Sequence, residues 1–206
     1  YTFDEHLHLT IDANIAKFNA NDNGPIHKPA AFNIDILRGK ASATLENKFD
    51  KLQGAFKVYR NFGEHTLSDG FHSTDRNSGA MLYQTYKFVT GTLVTGGVDF
   101  KQYGGIVNQT KYKDSLLTVN ELAVYVYAQQ TMLERLTLSA GLRLENNSGY
   151  GKELVPMGGI SYYPTENTTF KFNASKGFRN PTVMELYLYA PNADLLPERM
   201  MNYELS

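Results

Sequence analysis

In the segment RLTLSAGLRLEN, Leu136, Leu138, Ala140, Leu142 and Leu144 alternate with Thr137, Ser139, Gly141, Arg143 and Glu145. A period of two predicts a strand with one apolar and one polar face. LHLTIDANIAKF repeats the pattern, with Leu7, Leu9, Ile11, Ala13 and Ile15 set against His8, Thr10, Asp12 and Asn14, and so does TTFKFNASKGF. Weaker copies run through FNIDILRGKASATLENK, LQGAFKVYRN, AMLYQTYKFV, TLVTGGVDFKQY, LAVYVYAQQ and VPMGGISYY, and a last partial strand starts at NYELS. The pattern predicts about ten strands. In FNIDILRGKASATLEN the phase slips: Ile34 and Ile36 fall on one parity, Ala41, Ala43 and Leu45 on the other. A bulge near Arg38-Gly39 would restore a common face, unless two segments have been run together.

The connections predict the topology. Tight turns are expected around Phe49-Asp50, Thr90-Gly91, Met132 to Glu134 and Pro164 to Asn167. Long polar loops are expected at about 20–31, 62–77, 104–115, 146–153 and 178–198. Long and short alternate, which in an up-and-down meander gathers every long loop at one end. The strands, roughly 9 to 15 residues, exceed the five or six of ordinary soluble sheets and match the 9 to 11 that cross a bilayer at a tilt. The predicted fold class is therefore all-β: an antiparallel meander of long strands, part of a transmembrane β-barrel. A soluble β-sandwich alternates its faces in the same way and stands as the alternative.

Composition changes this picture in a few places. Twenty Lys plus Arg against 21 Asp plus Glu give a formal charge of −1, so no basic surface recruits nucleic acid. There is no cysteine, which removes disulfides, thiolate metal sites and a Cys nucleophile. Fourteen Tyr and 12 Phe suit strands and interfacial belts. The longest apolar run, LAVYVYA, is far short of the roughly 20 residues of a spanning helix. The chain opens at YTFDEHLHLT and stops at NYELS, each inside what reads as a strand, so a piece of a longer barrel is expected. Its unpaired edges would then drive artificial self-association.

Catalytic constellations are missing: no G-x-S-x-G, P-loop, dinucleotide fingerprint or H-E-x-x-H occurs. His6 and His8 stand two apart on one face and would need a further ligand to hold a metal; two polar residues on a wet face is the simpler reading. No enzyme, cofactor or metal is expected. Asn-x-Ser/Thr triplets at Asn108, Asn167 and Asn173 are read as turn and strand composition.

The segment SKGFRNPTVMELYLYAPNADLLPE breaks the alternation, with three prolines and no clear period. Together with what surrounds it, YVYAQQTMLERLTLSAGLRLE, then PMGGISYYPTENTTFKFNASKGFRNPTVMELY, then NADLLPERMMNYELS, it resembles the mid-to-late barrel of TonB-dependent outer-membrane receptors. In that family an S.GFR.PT..ELY segment is followed by NP.L.PE....YE. Phe178-Arg179-Asn180-Pro181-Thr182, Glu185-Leu186-Tyr187, Asn192-Ala193-Asp194-Leu195, Pro197-Glu198 and Tyr203-Glu204 occupy those places. The specific match covers about the last 85 residues; the earlier part fits by strand and loop pattern.

The resemblance implies a barrel of about 22 strands closed around a plug, in the bacterial outer membrane, contacting its lipid and engaging the TonB complex. This chain would supply a little under half of the barrel and no plug. The implied function is binding and import of a scarce nutrient, such as a ferric siderophore or other iron complex; a porin-like passive barrel is the alternative. Haem receptors carry FRAP and NPNL boxes with a histidine between. This chain has FRNP and PNADL and no histidine after His72, a departure that selects no other ligand. The expected ligand contacts are Arg179, Glu185, Tyr187, Tyr189, Asn192, Asp194 and Tyr150. Arg179 offers a fork of donors for a carboxylate, a chelate oxygen or a plug carbonyl, and Tyr187 and Tyr189 offer apolar bodies with polar tips; for each of them packing against the barrel wall or the plug is the simpler role, and ligand contact the sharper one.

Overall fold

The computed structural model describes residues 1–29, 31–108, 115–188 and 190–206. Ten strands and one short helix follow in chain order: β1 (Leu7–Asp22), β2 (Phe32–Lys48), β3 (Leu52–Leu67), β4 (His72–Lys87), β5 (Thr92–Val107), β6 (Leu117–Met132), β7 (Leu136–Asn147), β8 (Gly151–Thr165), β9 (Thr168–Arg179), α1 (Val183–Tyr187) and β10 (Glu198–Leu205). The strands form one unclosed antiparallel sheet in the order of the chain, β1 to β10. No second sheet covers it among the described residues, which removes the sandwich alternative.

The alternation read from sequence becomes two faces through an unbroken register. Leu9, Leu45, Phe56, Leu82, Val98, Val124, Leu144 and Leu154 pair in turn across eight strands. From Leu45 to Leu154 every member of this row is exposed. A continuous apolar band of that size marks a surface covered by something other than water, and lipid is an environment it fits. At the short-turn end the band closes in aromatics, with Phe49, Tyr86, Phe88, Tyr162 and Phe170 all exposed and Tyr86 and Phe88 in edge contact at 4.8 Å. Such rings suit a membrane–water interface.

The opposite face is polar and lies flat. Tyr59 is paired with Gly79, Tyr125 with Gly97 and Tyr127 with Gly141. In the first two pairs a Cβ on the glycine would meet the tyrosine ring within 2.7 Å, so the ring occupies the space the missing side chain leaves. Aromatic cover of a strand glycine recovers contact that the glycine itself forfeits.

Two expectations need correction. No bulge occurs at Arg38-Gly39, because β2 pairs with β1 and β3 without a register shift. Ile34 and Ile36 lie instead on the polar-face parity, opposite Ala20 and Phe18. The phase slip marks the level at which β2 leaves the apolar band. The expected loops at 62–77 and 146–153 are also mostly strand: β3 and β4 are joined by 68–71 and β7 and β8 by 148–150. Above an apolar band a strand has water on one face and polar neighbours on the other, so its sequence loses alternation and reads as loop. The four tight turns fall where expected, between Lys48 and Leu52, Lys87 and Thr92, Met132 and Leu136, and Thr165 and Thr168. The first strand starts only at Leu7; ahead of it the chain folds back, and Thr2 bridges His8.

Candidate functional site

At the long-connection end, the segment after β9 folds back against the polar face. Pro181 has no backbone donor and ends the strand. Thr182 then caps α1 through a capping box: its hydroxyl accepts from the Glu185 backbone N–H, and the Glu185 carboxylate accepts from the Thr182 N–H at 2.7 Å. Leu186 is buried, and α1 contacts β6. Thr-x-x-Glu was the sequence signal for this helix, hidden among the prolines.

Arg179 holds the segment at both ends. Its guanidinium donates to both carboxylate oxygens of Glu185 at 3.1 and 3.2 Å, and through Nε and Nη2 to both oxygens of Glu198 at 3.1 and 3.0 Å. The fork, expected to meet a carboxylate, a ligand or the plug, is engaged on two carboxylates of its own loop. Those bonds, with the cap donated by Thr182, hold the Glu185 carboxyl down at about 2. A depressed carboxylate contributes stability that is complete above its ordinary pKa of about 4.5 and is lost as pH falls toward 2. The α1 staple is therefore expected to survive at pH 4 and to open near pH 2, measured by carbon NMR of the labelled Glu185 carboxyl. A midpoint near 4.5 would show that Arg179 does not hold it.

Asn192 donates its backbone N–H to Glu185 O at 3.1 Å and accepts on Oδ1 from the Asp194 N–H at 3.0 Å, a local turn with both residues exposed. Tyr187 ends α1, half-buried. Tyr189 lies outside the described residues. Tyr150 stands apart from these, in the β7–β8 connection. It stacks edge-on against Phe178 at 6.5 Å and donates its hydroxyl to Glu145 at 2.8 Å. Burial first, then the hydrogen bond to and charge of Glu145, push its phenol well above the usual range.

Tyr150 leads to a group of charges that the sequence reading did not bring together. Asp99, Glu145 and Glu153 share one cross-strand row of the polar face, with Glu145 directly opposite Glu153. Lys101, Glu121 and Asn147 form the next row up. Glu121, Glu145, Asn147 and Glu153 are all buried. Facing carboxylates repel, and each is met by its own cations or donors. Glu153 takes Arg199, from Nε at 3.0 Å and Nη2 at 2.8 Å, together with the Lys176 ammonium. Glu145 takes Tyr150 and Arg143, and Arg143 also reaches Asp99 at 2.5 Å. Lys101 lies 2.6 Å from Glu121. Asn180, at the root of the α1 segment, donates its amide to Glu121 at 3.2 Å and Glu145 at 3.5 Å.

Lys176 and Arg199 reach the polar face although strand parity places them on the other. The registered β8–β9 pairs stop one residue earlier, at Met157 and Ser175, and past that point the side chains turn inward. For Asp99, Glu121, Glu145 and Glu153 the available signal was chemical: ionisable residues inside strands on the polar parity are costly and therefore paired; for Lys176 and Arg199 parity gave none.

Under α1 lies a cleft of about 500 Å³ whose lining includes Arg38, His65, Tyr103, Gly104, Met184 and Leu188. Arg38 crosses to Asp75 at 2.7 Å and to His65 Nε2 at 2.9 Å. The crossing runs over Gly63, where a Cβ would fall 2.2 Å from Arg38 Nη1. A cleft of similar size, about 480 Å³, lies at the short-turn end beneath residues 4–8. It contains His6 and His8, which turn to different partners, Lys48 O and Thr2 Oγ1. Among the described residues no three His, Asp or Glu converge as a metal site.

An unclosed antiparallel meander with a lipid-type band, a charged opposite face and a loop helix folded against that face is the arrangement of one wall of a large barrel. A family model described as "TonB dependent receptor-like, beta-barrel" matches residues 1–206. The chain belongs to this family. The TonB-dependent barrel is 26% identical over 179 residues to the vitamin B12 transporter BtuB of Photobacterium profundum, covering 85% of this chain and 28% of that one. Among solved structures it matches the siderophore receptor PirA of Pseudomonas aeruginosa with a TM-score of 0.86 at 14% identity, covering 100% of this chain and 40% of that one. A mutant of the ferric enterobactin receptor PfeA of the same organism matches at 0.84 and 15% identity, covering 98% and 38%. The barrel segment thus spans well under half the length of the relatives it matches. The family is one of receptors and transporters of the Gram-negative outer membrane, not of enzymes.

Proposed function

We propose that this chain is part of the barrel wall of an outer-membrane receptor that binds a scarce nutrient, a ferric siderophore or other iron complex, and imports it with energy delivered through TonB. The carrying observation is the pairing of an exposed apolar band with a polar face that bears a cleft at its long-connection end. The similarity to siderophore receptors supports iron as the cargo. The BtuB likeness makes cobalamin the second candidate. In this reading Arg179 and Glu185 position the loop. Tyr187, Tyr189, Asn192 and Asp194, with Arg38, His65 and Tyr103 of the cleft, meet the ligand. The row of half-buried Asp99 and buried Glu145 and Glu153, with Tyr150 beside it, faces the plug of the full-length receptor.

Uptake by cells that lack their own receptors and carry the full-length protein tests this. Labelled ferric enterobactin and other ferric siderophores are expected to enter, and a protonophore to stop them. Entry of cyanocobalamin alone would replace iron as the cargo. Entry that survives collapse of the proton gradient would remove TonB-driven import in favour of a passive pore.

A further inference from the structure

Asn-Gly occurs once in the chain, at Asn23-Gly24. The pair follows β1, which ends at Asp22, and belongs to no strand or helix. Asn23 is exposed, and among the described residues its side-chain amide has no hydrogen-bond partner. Gly24 has φ of +65° and donates its backbone N–H to Asp22 Oδ1 at 2.8 Å. A free side-chain amide, the backbone nitrogen of the next residue and a carboxylate on that nitrogen's proton therefore stand together. Glycine has no Cβ to crowd its nitrogen, and a base already bonded to the proton is placed to take it. The reacting atoms belong to neighbouring residues, so the attack is intramolecular.

We propose that Asn23 is a site of spontaneous deamidation assisted by Asp22. The Gly24 nitrogen forms a bond to Asn23 Cγ as its proton passes to the Asp22 carboxylate. The Cγ–Nδ2 bond breaks, the departing nitrogen takes that proton, and ammonia leaves behind a five-membered cyclic imide. Water then adds to either imide carbonyl and the ring C–N bond breaks, which gives aspartate or isoaspartate at position 23. No oxidant or reductant is needed. Either product sets a second carboxylate beside Asp22 in the β1–β2 connection, at the long-connection end of the sheet. The isoaspartate form also adds a methylene to the main chain there.

The other pairs with suitable atoms are held away from this reaction. In Asp69-Gly70, Gly70 donates its N–H to Leu67 O at 3.0 Å and Asp69 Oδ1 accepts from the Phe71 N–H at 2.8 Å. In Asn147-Ser148, Asn147 is buried and its Oδ1 accepts from the Gly149 N–H at 2.8 Å. Asn77-Ser78 lies inside β4, paired on both sides.

The full-length receptor in detergent, incubated at neutral pH and sampled over days by peptide mapping with mass spectrometry, tests it. Amide-to-acid conversion is expected at Asn23 ahead of every other asparagine. An isoaspartyl methyltransferase should label that peptide and not the one containing Asp69. Asp22→Ala is expected to slow the conversion about fivefold, the worth of one hydrogen bond. Asn23→Gln, which would have to close a six-membered ring, should abolish it. Heat-modifiable mobility on gels checks that each barrel stays folded during incubation. Earlier conversion at another asparagine, or an Asn23 amide that outlasts the rest, would overturn the site. An unchanged rate in folded Asp22→Ala would overturn the assistance by the carboxylate, and equal labelling at Asp69 would overturn the protection assigned to its backbone.

Discussion

Gly104→Ala is expected to disrupt the upper half of β5 and close the cleft under α1. Gly104 has φ of +152°, a conformation that side-chain-bearing residues rarely adopt. The obstacle is more than torsional, because a Cβ there would fall 1.8 Å from the Leu117 carbonyl oxygen. That oxygen belongs to the neighbouring strand and cannot rotate away as a side chain does. The β5–β6 ladder must open at Gly104 and Thr118, its paired residue. The combined cost is of the order of 3 kcal/mol or more. Urea titration of the full-length receptor in lipid should show the lost stability, and ligand affinity should fall with it. Gly96→Ala on the same strand is the comparison, since its Cβ meets no atom closer than 3.9 Å. Equal stability of the two variants would show that the ladder at Gly104 yields freely.

Glu153→Ala is the second substitution of large expected effect. The side chain is only 2% exposed and receives Arg199 and Lys176 from two different strands. Removal leaves two cations facing each other without their shared carboxylate. Breaking a buried pair costs about 3 to 5 kcal/mol. Arg199 is half exposed, so water relieves part of this and about 2 to 3 kcal/mol is expected. The loss should appear as earlier unfolding of β9 and β10 in hydrogen exchange, with β2 to β5 unchanged. Glu153→Gln, which keeps the shape and loses the charge, should recover little. Full recovery by glutamine would assign the role to packing.

The sheet was legible in sequence because its apolar face is uniform. A run such as Leu136 to Leu144 names its own face, and the four tight turns followed from the gaps between such runs. Legibility failed wherever the strand rose above the band. Segments 62–77 and 146–153 carry polar residues on both parities, and only cross-strand pairing shows that they continue as sheet. The segment after β9 was legible as a break in the alternation, but its internal fold was not. Arg179 and Glu185 were named as candidate ligand contacts in a loop without period, and their mutual engagement depends on a helix cap that only the fold of the segment between them reveals. Glu145 and Glu153 were invisible for a different reason: they lie opposite each other only through register, and nothing local to either marks the contact.

The tyrosine rings laid over glycines have a mechanical consequence. Rings pressed against the backbone at Gly79 and Gly97 leave the interior wall with low relief. A body seated against such a wall is not keyed into it by protruding side chains. In the proposed receptor, a plug seated there would be held by ionic latches more than by interlocking shape.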